Sequence, residues 1–288
     1  MDVKLDYNNK KSPHHRRLAS KPLSQGTKVI LAGRRRDRLD HFISSHGGTD
    51  TATDRVTAIQ FDITRLDEIP SFATSIATSH PDLDCIIFSA GILRPCDFSR
   101  PETVDLSVLD EEVVTNYTSQ VHLTVALLPI LQRQRQKQAS LIYVGATLGI
   151  VPGMLWSGNY NATKEALHNW ILVLREQLKR SSHSSLKQNL ENDDKNNIKV
   201  VEIFPPAVSQ TELVTERHHP RLRDIGSIPG MPLDESTEEV VAGLVKGEEQ
   251  IGVGAHLRAV LEGPERVRQE AFRAMIVFAE ELLRGHWK

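Results

Sequence analysis

Residues 139–180 read ASLIYVGATLGIVPGMLWSGNYNATKEALHNWILVLREQLKR. The opening ASLIYVG is apolar and ends at a glycine, which predicts a buried strand over Ala139–Gly145. Ser157–Arg180 predicts a long helix, with Ala162, Ala166, Leu167, Trp170, Leu174 and Leu178 on its core-facing side. The next strand is Ile198–Phe204 (IKVVEIF), stopped by Pro205-Pro206. The same alternation runs upstream. KVILA at Lys28–Ala32 predicts a strand closed by Gly33, followed by a charged helix over Arg34–Ser45. RVTAIQF at Arg55–Phe61 is a strand, and Leu66–Ser79 a helix with Pro70 in its first turn. LDCIIFS at Leu83–Ser89 is a strand. Asp105–Gln134 is a long helical region that Pro129 should kink or break. Downstream, Thr237–Lys246 and Glu262–Arg284 predict closing helices around a short strand at Ile251–Gly254. Several strands are apolar on both faces, the pattern of an α/β fold: a doubly wound parallel sheet buried between two helical layers. Ligands of such sheets sit at the carboxyl ends of the strands. The polar segments after Gly33, Asp62, Ser89, Gly145 and Phe204 are therefore where function is sought.

The chain has 288 residues, 39% hydrophobic and 25% charged, which fits a globular core and excludes a wholly disordered chain. A single domain is expected over 26–288, with 1–25 as a disordered basic tail and helix remnant. Residues 181–197 read as a disordered loop and 209–236 as an irregular, lid-like excursion near the ligand crevice. The formal net charge is −2, which gives no electrostatic reason to expect nucleic acid as a partner. No apolar run approaches the roughly 20 residues of a membrane span. The N-terminus lacks the apolar stretch of a secretory signal. The two cysteines, Cys85 and Cys96, do not form a metal or redox motif, and a reducing, cytoplasmic setting is expected.

Tyr160 and Lys164 stand four apart near the start of the long helix and project from one face. A phenol with an ordinary pKa near 10 is a poor acid/base catalyst at neutral pH. A neighbouring ammonium stabilises the phenolate, so the pair can pass a proton to or from a carbonyl or alcohol oxygen. The spacing alone is weak, since Tyr7 and Lys11 share it within the polar tail.

Context supplies the specificity. The stretches VILAGRRRDRLD (29–40), FDIT (61–64), FSAGI (88–92), VVTNYTSQVHLT (113–124), YVGATLGIVP (143–152), YNATKEALHNWILVLREQLK (160–179), VVEIFPPAV (200–208) and MPLDESTEEV (231–240) together resemble the short-chain dehydrogenase/reductase family, in its DltE-like fungal and bacterial branch. The resemblance covers roughly residues 26–275. It implies a Rossmann-type domain, a nicotinamide cofactor, and a small-molecule carbonyl or alcohol substrate. It further implies Tyr160 as general acid/base and Lys164 as the residue that lowers its pKa and bonds the nicotinamide ribose. Asn116 would hold a water linking Lys164 to solvent, or be a helix asparagine bonded to a backbone carbonyl. Asp62 would touch adenine, or cap the next helix. Arg34 and Arg35 would bind a 2′-phosphate, favouring NADP over NAD, or form a solvated basic turn. Ser89, Ala90, Gly91, Pro205, Val208 and Thr211 complete the implied cofactor contacts.

The pattern departs from the family in places. A substrate-holding serine is expected about 13 residues before the tyrosine. Counting from Tyr160 reaches Thr147, and aligning from Gly149 reaches Ala146; Thr147, which carries a hydroxyl, is the one expected to face the substrate. The family's first strand and its Thr-Gly-x-x-x-Gly-x-Gly loop have no counterpart before Gly26, because VKL at 3–5 is too short. Two readings follow. One is an NADP-dependent oxidoreductase acting on CH–OH or C=O groups, with a homo-oligomer left open. The other is an inactive relative acting as a binding protein. Without the loop, NADP binding no tighter than roughly millimolar is expected, about 4 kcal/mol.

Overall fold

The computed structural model describes residues 4–5, 27–46, 55–134, 137–184, 198–208, 213 and 230–282. Seven strands lie among them: β1 (Lys4–Leu5), β2 (Val29–Gly33), β3 (Val56–Gln60), β4 (Cys85–Phe88), β5 (Ala139–Val144), β6 (Ile198–Phe204) and β7 (Gln250–Gly252). They form one sheet in the order β3-β2-β1-β4-β5-β6-β7, with every neighbouring pair parallel. The described helices are α1 (Arg36–His46), α2 (Ile69–Ser79), α3 (Leu106–Val113), α4 (Ser119–Gln132), α5 (Gly158–Ser184), α6 (Leu233–Val245), α7 (Ala255–Val260) and α8 (Arg266–Leu282). This is the expected three-layer, Rossmann-type α/β architecture.

One element corrects the sequence reading. The central position, expected to be missing its strand, is filled by Lys4–Leu5. Lys4 pairs with Leu31, and Leu5 pairs with Ala32 on one side and Phe88 on the other. The physical reason is backbone satisfaction. β2 and β4 each present N–H and C=O groups toward the gap, and even a short strand there gives them partners. Gly26 and the remainder of the basic tail lie outside the described residues, as do residues 185–197 of the expected loop and most of 209–229. Both expected irregular segments are shorter than the sequence suggests. α5 continues to Ser184, Met231 bridges to Val208, and α6 already begins at Leu233.

Alternation along each strand sorts the core into two layers. Ile30, Ala32, Ile86, Phe88, Leu141, Tyr143 and Val200 pack beneath α2, α4 and α5. On the other face, Val29 and Leu31 meet Leu39 and Phe42 of α1, while Ile142, Val201 and Ile203 meet Val240 of α6. Leu167, Leu174 and Leu178 take the inward positions expected of them, whereas Ala162 is exposed.

The region 105–134 is built differently from its reading. Asp105 caps α3 by accepting the Ser107 amide at 2.9 Å. The departure from α-helical geometry falls at Val114–Thr118, a π-helical turn, and not at Pro129, which lies inside α4. Pro129 is exposed on the helix surface. Because the strands are parallel, the segments after Gly33, Phe61, Phe88, Val144 and Phe204 all emerge along one edge.

The central strand yields a direct test. Leu5→Pro removes a backbone donor from the middle of the sheet. Urea unfolding should show a loss of about 1–3 kcal/mol, the cost of an unmet buried backbone group. An unchanged midpoint would show that Lys4–Leu5 contributes nothing to the sheet.

Candidate active site

α5 begins where the sequence places Tyr160 and Lys164, and both side chains are buried. Lys164 donates from Nζ to the carbonyl of Val144, the last residue of β5, at 2.8 Å. The same nitrogen lies 5.8 Å from the centre of the Tyr160 ring. The short turn Thr147–Gly149 is pressed against this first part of α5. A side chain at Gly149 would meet the Lys164 carbonyl carbon and the Glu165 amide at 2.7 Å, so only glycine allows that approach.

The electrostatics differ from the expected lowering of the tyrosine pKa. Burial, and then the charge of Glu112, push the Tyr160 phenol above its ordinary value, so it holds its proton firmly. Burial pushes Lys164 down to about 8, opposed by the negative charges of Glu202 and Glu112. The pair is therefore a neutral phenol beside an ammonium that loses its proton near pH 8.

Asn116 sits in the π-helical turn and grips the loop after β4 at both ends of one residue. Its Nδ2 donates to the Ile92 carbonyl at 2.9 Å, and its Oδ1 accepts the Ile92 amide at 2.8 Å. Nδ2 also donates to Thr163 Oγ1 at 3.0 Å, and Thr163 Oγ1 donates to the Tyr160 carbonyl at 2.8 Å. The side chain thus ties the loop carrying Ser89, Ala90 and Gly91 to the turn carrying Tyr160. Ala146 is buried in one apolar cluster with Tyr160 and Leu93, against which Leu148, Met154, Trp156 and Leu213 pack. Thr147, the residue expected to face the substrate, is half-buried and starts the next turn; Ala146 is the one that shares the cluster with Tyr160.

The implied cofactor residues gather along the same edge. Ser89 and Ala90 are buried and Gly91 half-buried; a Cβ on Gly91 would stand 3.4 Å from Asn116 Oδ1 and 3.6 Å from Lys164 Nζ. Pro205 follows β6, and Val208 bridges to Met231. Arg34 follows β2 and lies 3.5 Å from Asp62 and 3.9 Å from Glu111. Asp62 accepts both the amide and the hydroxyl of Thr64, at 3.0 and 2.7 Å. Asp62 therefore combines a local cap with an ion pair to Arg34. The Arg35 carbonyl accepts the amides of Arg38 and Leu39 at the start of α1. Thr211 lies outside the described residues. For a nicotinamide nucleotide the fit is good at the Lys164 end: an ammonium has three donors, and the bond to Val144 uses one.

Glu112, His168, Glu202 and Glu265 are buried and were not singled out by sequence. Glu112 accepts the Arg94 amide at 2.9 Å and the Asn159 amide group at 2.7 Å. His168 bonds Glu202 through Nδ1 at 2.7 Å and Glu265 through Nε2 at 3.0 Å. The available signals were modest. His168 follows Lys164 by four on the same helix face, and Glu202 occupies an inward position between Val200 and Phe204.

Residues 16–221 match the model of the short chain dehydrogenase family. The chain belongs to that family. This short chain dehydrogenase is 26% identical to the uncharacterized oxidoreductase DltE of Bacillus subtilis (strain 168), over 81% of each chain. Its fold is similar to that of a short-chain dehydrogenase from Sphingobium yanoikuyae in complex with NADPH, with a TM-score of 0.71, 18% identity, and coverage of 95% of this chain and 96% of that one. A short chain dehydrogenase from Burkholderia cenocepacia in complex with NADP gives a TM-score of 0.68 at 19% identity, covering 95% and 96%. Among the described residues no helix is long and apolar enough to cross a membrane.

Gly149→Ala should force the Thr147–Gly149 turn away from α5. The expected loss of stability is about 1–3 kcal/mol, as for overpacking elsewhere, measured by denaturant unfolding. A neutral substitution would mean that the turn does not depend on this approach.

Proposed function

We propose that the chain is an NADP-dependent oxidoreductase that interconverts a carbonyl and an alcohol, with Tyr160 as general acid/base. The observation that carries this reading is the buried Lys164 ammonium, fixed on the Val144 carbonyl and set beside the Tyr160 ring. A bound nicotinamide supplies or accepts the hydride. In the reduction direction, Tyr160 donates its hydroxyl proton to the carbonyl oxygen of the substrate. The phenolate left behind is stabilised by Lys164 and regains its proton from solvent. Burial keeps the phenol protonated until the substrate oxygen becomes basic enough to take the proton.

Lys164 has donors available for the ribose hydroxyls. Ser89, Ala90 and Gly91 on one side, and Pro205 and Val208 on the other, would flank the nicotinamide half. Thr211 belongs to the same proposal. Arg34 and Arg35 would meet a 2′-phosphate, which favours NADP, although Asp62 and Glu111 already take part of the Arg34 charge. Asn116 acts as a positioning residue through its hold on Ile92. Thr147, at the start of the turn after β5, would supply a hydroxyl for the substrate oxygen. The wall formed by Leu93, Ala146, Leu148, Met154 and Trp156 suits a substrate with an apolar body. A reducing, cytoplasmic setting belongs to the same proposal. The second reading, a binding protein without turnover, is favoured by the lack of a Thr-Gly-x-x-x-Gly-x-Gly loop ahead of Val29.

The test is NADPH consumption across a panel of apolar ketones and aldehydes. Tyr160→Phe should lower turnover by about a hundredfold or more, the effect of removing an acid/base. Unchanged turnover would exclude Tyr160. For carbonyl reduction, kcat/KM should fall as pH rises through about 8, because Lys164 is charged below that value and neutral above it. A profile flat to pH 10 would show that the ammonium is not needed.

A further inference from the structure

Behind Tyr160 and Lys164 lies a buried acid–base chain that the proposed reaction does not use. Glu202 is on β6, in register with Tyr143 of β5, and is fully buried. One of its oxygens, Oε2, bonds His168 Nδ1 at 2.7 Å. The other, Oε1, is buried and accepts no hydrogen bond. That oxygen lies against Gly145, where a Cβ would stand only 2.5 Å away. Glu265 holds the far side of His168 at 3.0 Å. Glu265 is in turn fixed by the side-chain amides of Gln250 and Gln269, each at 2.9 Å.

A buried carboxylate with an unbonded oxygen is costly unless a cation lies within its field. His168, bonded to Oε2, is one such cation, and Lys164, on which Glu202 acts through space, is the other. Lys164 Nζ meets the strand at the Val144 carbonyl, and Glu202 Oε1 meets it at the next residue, Gly145. His168 is one helical turn beyond Lys164 on the same face of α5. Two anions, Glu202 and Glu265, are thus interleaved with the two cationic sites, Lys164 and His168.

We propose that Glu202 is a positioning residue for Lys164: locked by His168 and Glu265 and admitted by the bare Cα of Gly145, its carboxylate keeps the lysine ammonium charged within the protein interior. This rests on the reading of Lys164 as the lysine of the catalytic pair. The groups facing Lys164 are Glu202 from β6, Glu112 from α3 and Tyr160 from its own helix. Those facing His168 are Glu202 and Glu265, which raise it to about 9 against the opposing effect of burial. Arg268 of α8 approaches Glu265 at 3.9 Å. Below pH 8 both cations are present, and the four charges balance.

The test is the titration of Lys164 in the full chain without cofactor, followed by the NMR signal of its ε-methylene and assigned with Lys164→Arg. The wild-type midpoint should lie near 8. Glu202→Gln keeps the shape and removes the charge, and should lower that midpoint by about one pH unit or more. Glu202→Asp keeps the charge but retracts it, and should give a smaller fall. If Glu202→Gln does not fold, Glu202→Asp decides: a lowered midpoint supports the proposal, and an unchanged one overturns it. A folded Glu202→Gln with an unchanged midpoint also overturns it. In protein that turns over, the alkaline limb of kcat/KM should move to lower pH in step with the midpoint. Because the titration needs no turnover, a shifted midpoint in a chain without activity would refute the enzyme reading alone. Activity with an unshifted midpoint would refute only the role of Glu202.

Discussion

The hydrogen bond from Lys164 to the Val144 carbonyl joins α5 to the strand before it, and much of the surrounding architecture follows from it. An ammonium in the interior is tolerated only if it is hydrogen-bonded and faced by negative charge. The bond supplies the first condition, and Glu202 and Glu112 supply the second. Glycines make room for both: Gly149 lets the following turn lie against α5, and Gly145 leaves space for the Glu202 carboxylate. Asn116 then anchors the neighbouring loop, so that the segments after β4 and β5 and the first turn of α5 form one connected unit.

The charge arrangement gives the site its chemical character. Tyr160 is buried and its pKa is raised, which makes it a reluctant base and a well-held proton donor. The cost of that arrangement falls on the ammonium, whose own pKa is lowered. In the proposed reaction the pair would act as a donor that releases its proton only to a developing alkoxide, with a cation beside the phenolate. Replacing such a buried ionic network by apolar groups is often neutral for stability, so its presence points toward chemistry.

The sheet was largely legible because its strands are short apolar runs with clear stops. Ile198–Phe204 has the same bounds in the sequence reading and in the structure, and Pro70 lies in the first turn of α2 as its ring requires. Lys4–Leu5 was not legible, since two residues carry no periodicity and only pairing with Leu31, Ala32 and Phe88 makes them a strand. The π-helical turn at Val114–Thr118 was hidden for a similar reason. Its Asn116 is bonded to Ile92, 24 positions earlier, and no local propensity encodes that contact. The tyrosine and lysine were readable from spacing and context. The carboxylates around them were not, because Glu112 and Glu202 look like surface residues until the fold buries them.

Lys4–Leu5 fills the central position of the sheet, but the absent glycine loop still gives the binding-protein reading its expectation of millimolar cofactor binding, whereas the oxidoreductase reading requires tighter binding. Calorimetric titration of NADPH into the full chain and into Lys164→Ala therefore bears most directly on the central claim, that the Lys164 end of the sheet holds a nicotinamide nucleotide. A micromolar dissociation constant for the wild type, weakened about tenfold or more in the variant, a difference of about 1.4 kcal/mol, is the predicted result. Millimolar binding, or equal affinity in the two proteins, would contradict it.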